Sequence, residues 1–460
     1  MENLNMSKHA AKMILAKSLG LEDLEPEVPG EVVIADPEEV IVGLDPEENI
    51  AETVLDINDD VDEIEEHEDA IETLAEAATT LEAIAITIEE AIQNADVSAG
   101  DDAGLSDDGA AMAAVAVSEV NDKLGLDSEG EGAPDESDPM KSAMFYEPSV
   151  ESFQGGKRRQ ASMEALDNIK AKLAAIWKAI KEAVAAFYKM VSNFFVGLVS
   201  KSAMLARKAK QIEAAAKDMG EGKGEIVFKT SAKLAMGTKF NGAADIVKGL
   251  EVLQGYGSKN IPAYVRGVEK VFGQLDHHGA VAGAEHAELS KAIDEAVVSL
   301  SGIELPGGYH AEHEANGDGL SGALKSQPHL VAGKNGPNAD AKYAPATKEE
   351  VVAIARGVQY LASKVVATKK SEAENLKKMA ETFVAKAGEA IKKEGIMEAT
   401  KDRVALTMHM RLGGKPWAKP VVQYAQLSFV ACGAALNFCE ASIRASRKKA
   451  EAAAPAPAAA

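Results

Sequence analysis

The feature that most constrains this chain is a reversal of charge at "MFYEPSVESFQGGKRRQAS", residues 144–162. Residues 1–151 carry 42 acidic and 5 basic side chains, net −37, whereas residues 152–460 carry 31 acidic and 44 basic, net +13. The overall charge of −24 describes neither half. Basic excess concentrates at the two ends of the second half: 13 against 4 in residues 152–217 and 18 against 11 in residues 349–460, with 13 against 16 between them. A chain of 460 residues is long enough for two or three units. Alanine supplies much of its apolar content and aromatics only 5%, which favours helix over sheet.

The expected fold is therefore mainly α: an acidic, partly disordered N-terminal region with an amphipathic helix, then a basic helical body with little strand. In the acidic half, Ile57, Val61, Ile64, Ile71, Leu74, Leu81, Ile88 and Ile92 recur at helical spacing with Asp and Glu between them. Such a helix needs a partner; the plainer reading of the region is a solvated acidic tail. A shorter apolar patch, "AAMAAVAVSEVNDKLGL", precedes the linker-like "DSEGEGAPDESDPM".

The basic half opens with the clearest period in the sequence. Leu166, Ile169, Leu173, Ile176, Ile180, Val184, Phe187, Val191, Phe194 and Leu198 step by three or four, and Lys170, Lys172, Lys178, Lys181 and Lys189 fall off that stripe. A core helix with a basic solvent face is the commoner cause. An interfacial membrane helix over residues 165–198 is the alternative, because Trp177, Phe187, Phe194 and Phe195 accompany the lysines. Further on, "GEIVFKTSAKLAMGTKFNGAADIVKGLEVLQGYG" holds one strand-like piece, with Asn241 and Gly242 opening the next helix. A Gly-, His- and Asn-rich stretch over 302–345 reads as a loop, two helical segments fill 346–450, and the tail 451–460 should be disordered. The working division is thus 1–151, 152–301, 302–345, 346–450 and 451–460.

Chemical motifs are weak. His277, His278 and His286 lie near Asp276, Glu285 and Glu288, and His310 and His313 flank Glu312, but no H-E-x-x-H, CxxC pair or calcium loop organises them. Exposed loop histidines are the plainer reading, and no metal or cofactor is expected. "GEGKGE" lacks a preceding strand and a Ser or Thr after its lysine. Cys432 and Cys439 fall two turns apart on one helix, about 10 Å, too far to bridge and suited to filling apolar space. A secretory signal is not expected from the short apolar run at residues 13–16, and the aromatic stretch 190–200 is too short to span a bilayer. Nothing in these patterns argues for an enzyme.

An acidic segment joined to a basic one can neutralise it and lower its affinity for polyanions. Cutting at the Pro-, Gly- and Ser-flanked junction "PSVESFQGG", expected to be an exposed connection, would then change the sign of the body. The alternative is a passive linker.

An acidic N-terminal region, a small-x-Glu tripeptide at the charge boundary and a basic helical body together resemble the internal head (inner-body) proteins of giant tailed bacteriophages. The resemblance implies trimming by a prohead protease after Glu. The matching tripeptide is Ser149-Val150-Glu151, leaving Ser152 as the new N-terminus; Ser162-Met163-Glu164 is a second candidate, cut after Glu164. Gly283-Ala284-Glu285 also matches, and Ile64-Glu65-Glu66 and Ile88-Glu89-Glu90 fit a related aliphatic-x-Glu rule. The central "SAKLAMGTKFNGAADIVKGLEVL" also looks like a segment of these proteins. The implied role is a non-enzymatic virion structural protein inside the capsid. Its implied partners are packaged double-stranded DNA, the prohead protease and other capsid or core proteins, with no membrane. Candidate phosphate contacts are Lys157, Arg158 and Arg159 at one end and Arg444, Arg447, Lys448 and Lys449 at the other, reading charge rather than bases. The competing expectations are a membrane-surface or effector-like interaction protein using helix 165–198, and a metal-dependent enzyme using the 277–314 region.

Overall fold

The computed structural model describes residues 10–15, 18, 46–93, 104–126, 146, 148, 153, 158–220, 224–237, 239–278, 284–313, 328–333, 341–392 and 417–453. The described chain is mainly helical, as its alanine-rich, aromatic-poor composition requires. Helix α1 (Pro46–Gln93) is followed by α2 (Asp107–Leu124) and the long α3 (Arg158–Ala215). After a short strand β1 (Ile226–Val227) come α4 (Ala243–Gly255), α5 (Ile261–His278) and α6 (Ala284–Val298). Strands β2 (His310–His313), β3 (Pro328–Val331) and β4 (Lys342–Tyr343) lead to α7 (Lys348–Lys392) and α8 (Lys419–Ala453).

Helix α3 forms the axis of the molecule. At 1.5 Å per residue its 58 residues span about 87 Å. All ten residues of its apolar stripe are buried, from Leu166 to Leu198. Burial extends beyond the stripe to Ala175, Trp177, Ala179, Tyr188 and Phe195, because α1, α7 and α8 all pack on α3. The repeating apolar residues of α1 are the counterpart: Ile57, Val61, Ile64, Ile71, Leu74, Leu81 and Ile88 are all buried, and Ile92 packs at the edge of the same core. The amphipathic acidic helix thus has its partner within its own chain.

Local chemistry sets the helix ends. In α2 the Ser106 hydroxyl accepts a hydrogen bond from the Gly109 N–H at 3.1 Å, and Gly125 closes the helix in the left-handed region at φ 64°. Helix α4 starts after Gly242, with Asp245 accepting from the Asn241 N–H at 2.7 Å, as the Asn-Gly signal anticipates. Helix α7 opens with a reciprocal cap in which the Glu350 carboxylate accepts from the Thr347 N–H and the Thr347 hydroxyl from the Glu350 N–H.

The stretch 302–345, expected as a loop, carries short strands among its described residues. β2 pairs antiparallel with β3, His310 opposite Val331, and β4 pairs antiparallel with β1, Tyr343 opposite Ile226. These pieces are too short to show a period of two, so sequence patterning does not reveal them. Around the β1–β4 pair, Phe228, Phe240, Tyr343 and Phe438 of α8 form edge-to-face and tilted ring contacts at centroid distances of 4.9–5.9 Å. Cys432 and Cys439 on α8 are buried free thiols, and burial pushes Cys432 up to about 12 and Cys439 higher still. They serve as apolar filling.

Candidate functional site: the seam between the acidic and basic halves

Along α3 the acidic half lies in a defined register. Glu89, near the C-terminal end of α1, pairs with Lys170 at 2.8 Å, while Asp60 and Asp56, near its other end, face Lys201 at 3.6 and 3.9 Å. Helices α1 and α3 are therefore antiparallel. Helix α2 runs parallel to α3: Asp107 pairs with Arg158 at 2.7 Å, and Asn121 accepts a hydrogen bond from the Lys172 ammonium. The Ser162 hydroxyl accepts from the Leu105 N–H at 3.1 Å, and Lys178 donates to the Ser18 carbonyl at 2.6 Å. Lys172, expected off the apolar stripe, is instead fully buried, since α2 covers the face that the stripe alone leaves to solvent.

Helix α8 completes the seat from the far side. Gln423 donates to Glu65 at 2.8 Å and Gln426 to Asn58 at 2.9 Å. Lys419 lies 3.9 Å from Glu65 and 3.6 Å from Glu68. Glu68 is only 1% exposed, and burial pushes its carboxyl up to about 8; Lys419 opposes that rise, while Asp69, Glu65 and Glu72 add to it. Burial works against charge on Lys419 as well, yet the neighbouring acidic groups of Glu68, Glu65 and Asp69 outweigh it and raise its pKa. Tyr188 on α3 and Tyr264 on α5 lie within electrostatic reach of Glu68, which is itself beside Lys419 of α8. Sequence patterning gives no sign of this role, because Glu68 is one acidic letter among many.

The proposed phosphate contacts fall in two places. Arg158 and Arg159 open α3, the first engaged with Asp107 and the second exposed; Lys157 lies outside the described residues. Arg444 sits on α8, 3.8 Å from Glu440, which in turn pairs with Lys208 at 2.9 Å. Arg447, Lys448 and Lys449 continue that helix, and their side chains lie outside the description. Arg158 and Lys208 are separated by about 75 Å of helix, so the two basic ends lie far apart rather than in one patch.

Residues 149–152, the junction tripeptide and Ser152, lie outside the described residues. Their described neighbours differ from the expected exposed connection: Pro148 and Phe153 are both buried, and Tyr146 packs against the core. Glu164 is exposed but lies inside α3, where cleavage would require the helix to open. Ile64 and Ile88 of the related tripeptides are buried against the body.

The aromatic face of 165–198 is core. Trp177, Phe187, Phe194 and Phe195 are each at most 4% exposed, which removes the lipid-facing surface that the membrane alternative requires. Among the described residues two helices, Arg158–Asp218 and Lys419–Ser446, contain stretches apolar and long enough to cross a bilayer; the second is mostly buried against other helices, and the first buries its apolar stripe while leaving Val196 and Val199 exposed. Among the described residues no three His, Cys, Asp or Glu side chains group as a metal site. His310 instead meets Glu312 at 2.8 Å on strand β2, and that hydrogen bond raises its pKa.

The model of the phiKZ-like phage internal head proteins matches residues 59–441. The chain belongs to that family. Membership places it inside the phage capsid, in the virion, among structural proteins of a family that is in general non-catalytic. The match begins within α1 and runs through the charge boundary into α8, so most of the acid–base seam lies inside the shared region. No curated protein and no solved structure matches the chain.

Proposed function

We propose that this internal head protein is made with its basic body shielded by its own acidic half, is processed between Glu151 and Ser152, and associates with packaged double-stranded DNA through charge alone. The observation that carries this reading is the register of the seam. Asp107, Glu89, Asp60 and Glu65 of α1 and α2 sit on Arg158, Lys170, Lys201 and Lys419, where they compete with phosphate for the same cations. Hydrolysis by a head-maturation protease consumes one water and leaves the Glu151 carboxylate and the Ser152 ammonium. Before that step, the exposed acidic face of α1 is the surface on which other core proteins would assemble.

N-terminal sequencing and intact-mass measurement of the protein from virions, against the same chain expressed alone, test the processing. The virion form is expected to yield a chain beginning at Ser152, and the chain expressed alone to remain whole. A virion protein uncut between residues 127 and 164 would reject the processing and leave a permanently shielded structural protein.

A further inference from the structure

The seam has a consequence for what processing produces. A propeptide tethered to its body mainly by surface ion pairs comes away when the tether is cut, because exposed pairs are individually weak and salt-screened. The acidic helices here are held differently. Eight large aliphatic residues of α1, from Ile57 to Ile88, are buried in the same continuous core as Leu173, Ile176, Phe187 and Val191 of α3. Helix α2 adds Ala110, Val117, Val120 and Leu124. Three more features lie beneath them: the Lys172 ammonium sealed under α2, Glu68 under 2% exposed against Lys419, and the Gln423 and Gln426 carboxamides bonded to α1. None of these contacts passes through residues 127–157.

We infer that cutting the junction does not release the acidic helices: α1 and α2 stay seated on α3 and α8 as a separate chain, and the processed protein is a two-chain particle. The seat on α3 and α8 is thus a binding surface whose occupant is the excised acidic segment. This rests on the processing reading for its biological setting, and its physical content holds for any cut in that stretch. Two consequences follow. Severing the junction leaves Lys172 covered by α2 and Lys170 and Lys201 paired with α1, while Lys178, Lys181 and Lys189 of α3 are exposed before and after the cut. Freeing Lys170 and Lys201 requires a second cut inside α1 itself, where Ile64 and Ile88 of the aliphatic-x-Glu tripeptides are packed and the helix must first open.

The test inserts a site for a sequence-specific protease between Gly155 and Gly156 of the full chain, cuts the folded protein, and follows the fragments by size-exclusion chromatography. Co-elution is expected at about 0.15 M salt and again at about 1 M salt, where the screening length falls to about 3 Å and surface pairs no longer hold. Separation is expected only in denaturant. Separation at either salt concentration without denaturant overturns the inference. Lys170→Glu combined with Lys201→Glu, cut in the same way, should still co-elute; separation of that variant would assign the hold to ion pairs and equally overturn it. Virion sequencing reports on the natural processing site independently. An uncut virion protein would remove the biological setting while leaving the engineered cut to decide the docking.

Discussion

The two ends of α3 carry the same kind of charge and treat it in opposite ways. At its start, Arg158 meets Asp107 of the acidic half at 2.7 Å with both side chains well exposed, at 35% and 56%. Near its end, Lys208 is 6% exposed and meets Glu440 of α8 at 2.9 Å. The first pair is supplied by the acidic half and lies in water; the second is supplied by the body and lies in the core. Shielding of the N-terminal end is therefore electrostatically loose, and the grip of the acidic half must come from apolar packing further along α1. The C-terminal end is held by the body whatever happens to residues 1–151.

Breaking each pair separates these cases. Glu440→Ala leaves Lys208 buried without its carboxylate and should cost about 3–5 kcal/mol in denaturant unfolding, whereas Asp107→Ala should cost less than about 1 kcal/mol. Equal costs would mean that the two ends are equivalent.

Between them sits Glu68, which supplies a pH test of the seam. Its folded pKa is raised to about 8 from an ordinary 4.5, so the stability of its protonated form is fully present below 4.5 and is lost as pH rises through about 8. The groups facing it are Lys419 on α8, Tyr188 on α3, Tyr264 on α5, and Glu65, Asp69 and Glu72 on its own helix. Glu68→Gln mimics the protonated form. It should flatten the decline in stability between pH 5 and pH 9, leaving the variant more stable than the parent at pH 9 by a few kcal/mol, to order of magnitude. An unchanged pH dependence would show that Glu68 reaches water.

The smallest effect concerns DNA. Arg159 is exposed, while the neighbouring Arg158 is already engaged by Asp107. In the full chain, Arg159→Ala should lower the slope of log affinity against log salt by about one, and Arg158→Ala by less. A slope unchanged by Arg159→Ala would remove that residue from the interface, and the same measurement on Arg444→Ala examines the other end.

Much of the architecture was legible in the letters. Spacing of Ile57 through Ile92 and of Leu166 through Leu198 identified two long helices and the faces they bury, and Asn241-Gly242 marked the start of α4. The charge boundary, with Ser149-Val150-Glu151 upon it, led to the right family. Other features were not legible. The burial of Lys172 follows from α2 lying across it, and that of Glu68 from the packing of α3 and α8 against α1. The pairing of β1 with β4 joins residues more than a hundred positions apart, in strands of two residues each.

The sequence by itself determined which segments are helices, which side of each is apolar, and where the charge changes sign, because these depend on neighbours three or four residues away along the chain. Only the tertiary structure decided that the acidic helix's partner is the basic helix of the same molecule, in antiparallel register. A periodic apolar face reports that something must cover it, and what covers it is a long-range choice among every other such face, made by packing and by which charges meet when two helices are laid together.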